Sequence, residues 1–165
     1  MKKRTIILHK DELLYDIEAL AYKLAEGTAL EGKAKNTLSA DHNETLDGRV
    51  LGRMIDVRHA TLRRKLAFAL SGATKDSVCN TPSSDSDIVF ALNISKSLDD
   101  GLIDVAKTYM HEYIVRGVLL DWYQRLGLQT VAVSDSNVQE MLDNVINIMR
   151  GPSYMKAPLQ PWGPK

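Results

Sequence analysis

His111-Glu112 opens like the helix of a zinc protease, in which two histidines four positions apart hold the metal and the glutamate acts as base. The second histidine of that pattern would fall at position 115, where Val115 stands. One imidazole cannot hold a catalytic zinc, so His111 reads as a polar position on a helix surface or partly buried. The four histidines, His9, His42, His59 and His111, share no ligand spacing. The single cysteine, Cys79, has no histidine near it in sequence to act as its base, and reads as a stray thiol. The chain contains no G-x-S-x-G, no G-x-x-x-x-G-K-S/T and no G-x-G-x-x-G. Its serines therefore lack a nucleophile elbow, and no glycine loop cradles phosphate. The acidic pairs Asp11-Glu12 and Asp99-Asp100 each stand at the start of an expected helix. Complementing the helix dipole explains them without catalysis. Catalytic, cofactor and metal residues are accordingly read as none.

Two other groups of residues point to binding. Arg49, Arg53, Arg58, Arg63, Arg64 and Lys65 share one stretch, which on a helix would be a nucleic-acid-facing stripe. Asp47 and Asp56 interleave with them, and the cations turn around the helix, which favours a solvated face with intrahelical ion pairs. Arg58 and His59 interrupt the apolar stripe and are expected where that helix meets a subunit or solvent. The second group closes the chain. Tyr154, Met155, Pro158, Leu159, Pro161 and Trp162 are too apolar for a plain solvated terminus. Pro158 and Pro161 bias an extended path. A strap with a tryptophan anchor grips either a neighbour or its own domain, and both readings stay open.

Bulk properties bound the rest. The chain has 165 residues, enough for one domain with a sizeable core, placed at 1–150 with an extended tail at 151–165. Its 21 basic and 21 acidic residues cancel, so the net charge gives no push toward nucleic acid. One cysteine excludes an intramolecular disulfide and a multi-cysteine metal site. The apolar part of Met1–His9 is too short for a signal peptide, and no stretch approaches the roughly 20 apolar residues of a membrane span. These features read as a cytoplasmic chain.

The elements that must position these residues follow from periodicity. Lys3–His9 and Ile88–Ile94 read as strands, the second with Ile88, Phe90, Leu92 and Ile94 on one face. They are expected to pair, in either direction. Helices are expected over 11–26, 46–70, 98–126 and 136–150. The first carries Leu13, Ile17, Leu20 and Leu24 as its stripe. The second carries Leu51, Ile55, Leu62, Leu66 and Ala69, widened by Met54, Val57 and Phe68. The third is apolar over most of its circumference, from Leu102 and Val105 to Trp122 and Tyr123, as a central buried helix would be. Ser97 with Asp100, and Ser136 with Gln139, have capping-box spacing. Gly27, Gly127 and Gly151-Pro152 are expected terminators. Thr28–Asp47 and Thr74–Ser86 read as loop and polar linker. The fold class is mainly α: a four-helix domain with a small ribbon of two short strands, a long central buried helix and an extended C-terminal tail.

The strand Asp87–Ser95, the helix start Ser97-Leu-Asp-Asp100, the core Tyr113-Ile-Val-Arg-Gly-Val-Leu-Leu-Asp-Trp-Tyr123 and the ending Arg150…Pro158-Leu-Gln-Pro-Trp162 carry a resemblance. Together they resemble small virion proteins encoded by phages and prophages of gut Bacteroides-type bacteria. That group is similar to head–tail connector, or adaptor, proteins, which are mostly helical and form rings between portal and tail. The resemblance spans nearly the whole chain except Thr28–Asp47. It implies a non-enzymatic structural protein of the virion, present in the host cytoplasm during assembly. It implies a homo-oligomeric ring with portal or tail proteins as partners, no cofactor and no catalytic residue. A small helical nucleic-acid-associated protein using the Arg49–Lys65 helix is the alternative.

Overall fold

The computed structural model describes residues 1–25, 46–71, 87–125 and 133–151. Their order is β1 (Lys2–Leu8), α1 (Lys10–Ala25), α2 (Leu46–Lys65), β2 (Ile88–Ile94), α3 (Asp100–Arg125) and α4 (Asp135–Arg150). The mainly helical class with a two-stranded ribbon is thus observed. The strands pair antiparallel, Leu8 opposite Ile88 and Lys2 opposite Ile94.

α3 organises the helices. From Tyr113 to Tyr123 its side chains are buried on every side except at Arg116 and Asp121, which are half-buried. Such a segment has to be covered from several directions, and α1, α2 and α4 all pack against it. α1 contributes Leu13, Ile17 and Ala21, and α4 contributes Val138, Leu142, Val145 and Met149. Each large apolar side chain buried in this way stabilises the fold by about 1.5–3 kcal/mol. The first half of α3 is covered on one side only. Leu102 and Val105 are each 43% exposed, against the expectation that they belong to an all-round buried surface.

The ribbon packs its inner face on the same core. Ile88, Phe90, Leu92 and Ile94 are buried, as their alternation predicts, and Ile6 and Leu8 join them from β1. α2 ends at Lys65, five residues before the expected Leu70. The chain then turns through 66–69, and Leu70 makes an antiparallel bridge to Leu92. Ser71 N–H donates to the Ala91 carbonyl at 2.9 Å, and Asn93 N–H donates to the Ala69 carbonyl at 2.7 Å. β2 is therefore flanked on both edges, because pairing with the 69–71 segment displaces the last helical turn.

Both later helices start away from the expected caps, for one physical reason. α3 is capped by Asp99, whose carboxylate accepts from Gly101 N–H at 3.2 Å, rather than by Ser97. α4 is capped by Ser134, whose hydroxyl accepts from Asn137 N–H at 3.4 Å, rather than by Ser136. In each case the residue before the cap is buried, Leu98 and Val133, as is the residue five positions later, Ile103 and Val138. These are the two positions of a hydrophobic staple, which fixes where the chain enters a helix. Ser97 and Ser136 instead hydrogen-bond to the hydroxyls of Ser95 and Ser134, at 2.8 Å each. Gln139 reaches Asp143 at 2.8 Å. At the other end of α4, Gly151 terminates the helix as expected. It adopts φ 76°, and its N–H donates to the Ile148 carbonyl at 3.0 Å. The expected terminators Gly27 and Gly127 and the segments Thr28–Asp47 and Thr74–Ser86 lie outside the described residues, apart from α2's first positions.

Arg58 joins α2 to α3. Its Nε donates to Asp121 Oδ2 at 2.9 Å, and its terminal nitrogen donates to Asp121 Oδ1 at 2.6 Å. On the way the side chain crosses α3 at Gly117, where a Cβ would lie 2.8 Å from Arg58 Nε. The guanidinium carbon is 6.0 Å from the Tyr113 ring centroid. Tyr113, Gly117 and Asp121 are spaced four apart and form one track on α3 for this side chain. Gly117→Ala should lower stability by about 1–2 kcal/mol despite the roughly 1 kcal/mol that alanine gains in helix propensity. In an Asp121→Asn background, where Arg58 is already released, the same change should be neutral or stabilising. A double-mutant cycle by urea denaturation measures this, and strict additivity would show that Gly117 is not there to let Arg58 pass.

Candidate functional site

The sequence places partner binding in Tyr154, Pro158, Leu159, Pro161 and Trp162, and all five lie outside the described residues. The structure does give the point where their segment leaves the domain. α4 ends at Arg150, whose guanidinium carbon sits 5.6 Å from the centroid of the Phe68 ring. Phe68 is half exposed rather than part of the α2 core stripe, and Val57 is 62% exposed. Both were expected to widen that stripe. Val57 stands at an open groove beside α3, and Phe68 stands on the turn after α2, under Arg150.

The ionisable side chains are dispersed into separate contacts. His111 Nε2 lies 2.7 Å from Asp16 Oδ2, linking α3 to α1. His9 Nδ1 lies 3.0 Å from Asp87 Oδ2, tying the end of β1 to the start of β2. Arg116 pairs with Glu112 one turn away at 2.7 Å. Among the described residues no three His, Cys, Asp or Glu side chains gather as a metal site would require. His42 and Cys79 lie outside the described residues.

Asp100 draws Lys2 and Arg4 across from β1, at 2.5 and 2.7 Å. Strand alternation explains this, because Lys2 and Arg4 share the inner face with Ile6 and Leu8 but stand beyond the apolar core. Hydrogen bonds from Lys2 and Arg4 hold the Asp100 carboxyl below its usual range. The carboxylate is exposed, so salt screens these pairs.

The basic run is not one surface. Arg58 is turned inward to Asp121, contrary to the expected meeting with a subunit or solvent. Burial would lower its basicity, but the hydrogen bonds and charge of Asp121, together with Tyr113, more than offset this and raise its pKa. Arg53, Arg64 and Lys65 are exposed and Arg63 is half-buried. The side chain of Arg49 lies outside the described residues. Arg58 and Asp121 separate two open grooves along α3. One, of about 450 Å³, is lined by Arg53, Val57, Gln124 and Arg125 among others. The other, of about 470 Å³, runs between α2 and the start of α4 and includes Thr61, Lys65, Tyr113 and Ser136. Asp121 lines the first and Asp135 the second, beside cationic, amide and hydroxyl groups.

His59, next to Arg58, points the other way. It is 8% exposed and meets the Phe90 ring edge-on with centroids 5.3 Å apart. Among the described residues, its Nε2 and the hydroxyl of buried Tyr123 have no hydrogen-bond partner. Burial raises the Tyr123 pKa. No signal in sequence distinguished His59 from Arg58. Gly117 was not singled out in sequence, although a glycine in the middle of an apolar helix, which costs about 1 kcal/mol relative to alanine, is a signal of close approach.

No family model, curated protein or solved structure matches the chain.

Burial, followed by the nearby charges of Arg63 and Lys10, lowers the His59 pKa from 6.5 to about 4. The unfolded chain therefore binds a proton between about pH 6.5 and 4 that the folded chain refuses, and stability falls as pH drops through this window. At most about 3 kcal/mol is lost, and the loss is complete near the folded pKa. His59→Phe should retain the edge contact with Phe90 and flatten this part of the profile. Denaturant titrations of both proteins from pH 7 to 4 measure it; parallel profiles would remove His59 as a source of acid sensitivity.

Proposed function

We propose that this chain is a non-enzymatic structural component of a phage or prophage particle, at the neck between head and tail. It binds copies of itself and portal or tail proteins, and the C-terminal segment with Tyr154, Pro158, Leu159, Pro161 and Trp162 straps onto a neighbour. The particle reading rests on the sequence resemblance. The docking reading is supported chiefly by one observation: α4 stops at a positive-φ glycine, Gly151, directly after Arg150, which lies over half-exposed Phe68. The apolar tail thus starts at the surface, from a helix anchored in the core. A helix core covered from several sides and polar groups paired between elements suit a rigid building block.

A nucleic-acid-associated role for α2 is the second reading, favoured by the exposure of Arg53, Arg64 and Lys65. It requires DNA binding that weakens steeply with salt.

Particles purified from the source strain after prophage induction should contain this chain at a fixed ratio of several copies per portal ring, measured by quantitative mass spectrometry. Its absence from intact particles rejects a permanent virion component. Deleting residues 152–165 should leave the domain folded and block particle assembly. Normal assembly of that variant sinks the strap.

A further inference from the structure

The outer faces of α2 and α4 have the same geometry and opposite charge. On α2 the exposed positions Arg53, Val57, Ala60 and Arg64 recur at intervals of four, three and four. That places them in one straight stripe, diametrically opposite buried Ile55, Leu62 and Leu66. On α4, Ser136, Glu140, Asp143 and Asn147 recur at the same intervals, opposite buried Val138, Leu142, Val145 and Met149. Each stripe is about 16 Å long.

The chemistry of the stripes is complementary. Cations bracket the α2 stripe, and small Ala60 and exposed Val57 at its centre allow another helix to approach closely. Carboxylates stand at the centre of the α4 stripe, within side-chain reach of arginines on either side. Gln139 orients the Asp143 carboxylate from within α4 at 2.8 Å. No ion pair joins Arg53, Arg64 or Glu140 to another described residue. This contrasts with Arg58, which Asp121 already neutralises within the domain. The chain as a whole is balanced at 21 basic and 21 acidic residues, so the two faces are a segregation of charge within a neutral molecule.

We propose that copies of this chain associate head to tail, the Arg53–Val57–Ala60–Arg64 face of one copy docking on the Glu140–Asp143 face of the next. Like charges oppose α2 against α2 and α4 against α4, so neither stripe forms a two-fold contact with itself. A contact between two different faces is heterologous, and repeats until it closes as a ring or continues as a filament. The inference deepens the self-association in the proposed function and does not depend on the particle in which it occurs.

The test is sedimentation velocity on the full chain, with charge-reversed variants. In about 20 mM salt the protein should sediment as oligomers, and in about 500 mM salt as monomer, because exposed charges are screened over a few ångströms there. Arg53→Glu/Arg64→Glu and Glu140→Lys/Asp143→Lys should each be monomeric in low salt, with circular dichroism melts like the parent's. Mixed one to one, the two variants should associate again, since each then offers the face the other needs. The neutral variant Arg53→Gln/Arg64→Gln, which carries the least risk to folding, should weaken association at least tenfold. A parent protein that stays monomeric in low salt, reversed variants that still associate, or a mixture that does not recover would overturn the proposal. It also fails if the α2 reversal abolishes DNA binding and leaves self-association intact, for then the face serves nucleic acid. Counting the chain in particles remains a separate test, so failure here is distinguishable from failure of the neck reading.

Discussion

Between Tyr113 and Tyr123, α3 has apolar side chains in every direction, and water is a poor solvent for all of them. A two-layer fold would cover one side of such a helix and leave another wet. The three other described helices therefore take places around it, and the ribbon covers the core from Ile6, Leu8 and the inner face of β2. The two charged side chains in this segment, Arg116 and Asp121, lie where they reach solvent in part and each has an ionic partner. Arg58 is the longest of these links. It crosses between packed helices because Gly117 removes the one side chain that would block it.

The ribbon could not stand alone, since a two-stranded pair is marginal in water. It is held at both ends and along an edge. His9 and Asp87 meet at one end, while Lys2 and Arg4 reach Asp100 at the other. The edge pairing of residues 69–71 with β2 converts the end of α2 into part of the sheet. These contacts tie the first residues of the chain to the start of its central helix. Buried His59, edge-on to Phe90, makes the α2–ribbon contact an acid-sensitive place in the core.

Cations are exposed on α2 and carboxylates on α4, while Phe68, Leu102 and Val105 leave apolar area at the surface. Polar groups inside the domain are mostly matched to one another, whereas Arg53, Arg64 and Glu140 on these outer faces have no ion-pair partner among the described residues. That division suits a protein proposed to work by assembling, with rigidity supplied by the core and specificity by faces that a second molecule completes.

Periodicity alone determined the elements and most of the core. Ile88, Phe90, Leu92 and Ile94 had to share a face because strands alternate, and Leu51, Ile55, Leu62 and Leu66 because helices repeat every 3.6 residues. All eight are buried. The charge balance and the glycine stop at Gly151 were likewise local facts of the chain. Strand direction was not legible, because alternation is the same in either sense. Nor was the end of α2, where pairing of Leu70 with Leu92 outweighs helix propagation. The caps shifted to Asp99 and Ser134 because buried Leu98 and Val133 fix the entry of each helix. Val57, Phe68, Leu102 and Val105 are apolar in sequence yet stand exposed, since an apolar residue is buried only where another element arrives to cover it. The same rule separates the neighbours Arg58 and His59. Nothing in their local sequence states that one meets Asp121 and the other Phe90, because those partners lie far along the chain and only the packing of α2 against α3 and the ribbon brings them within reach.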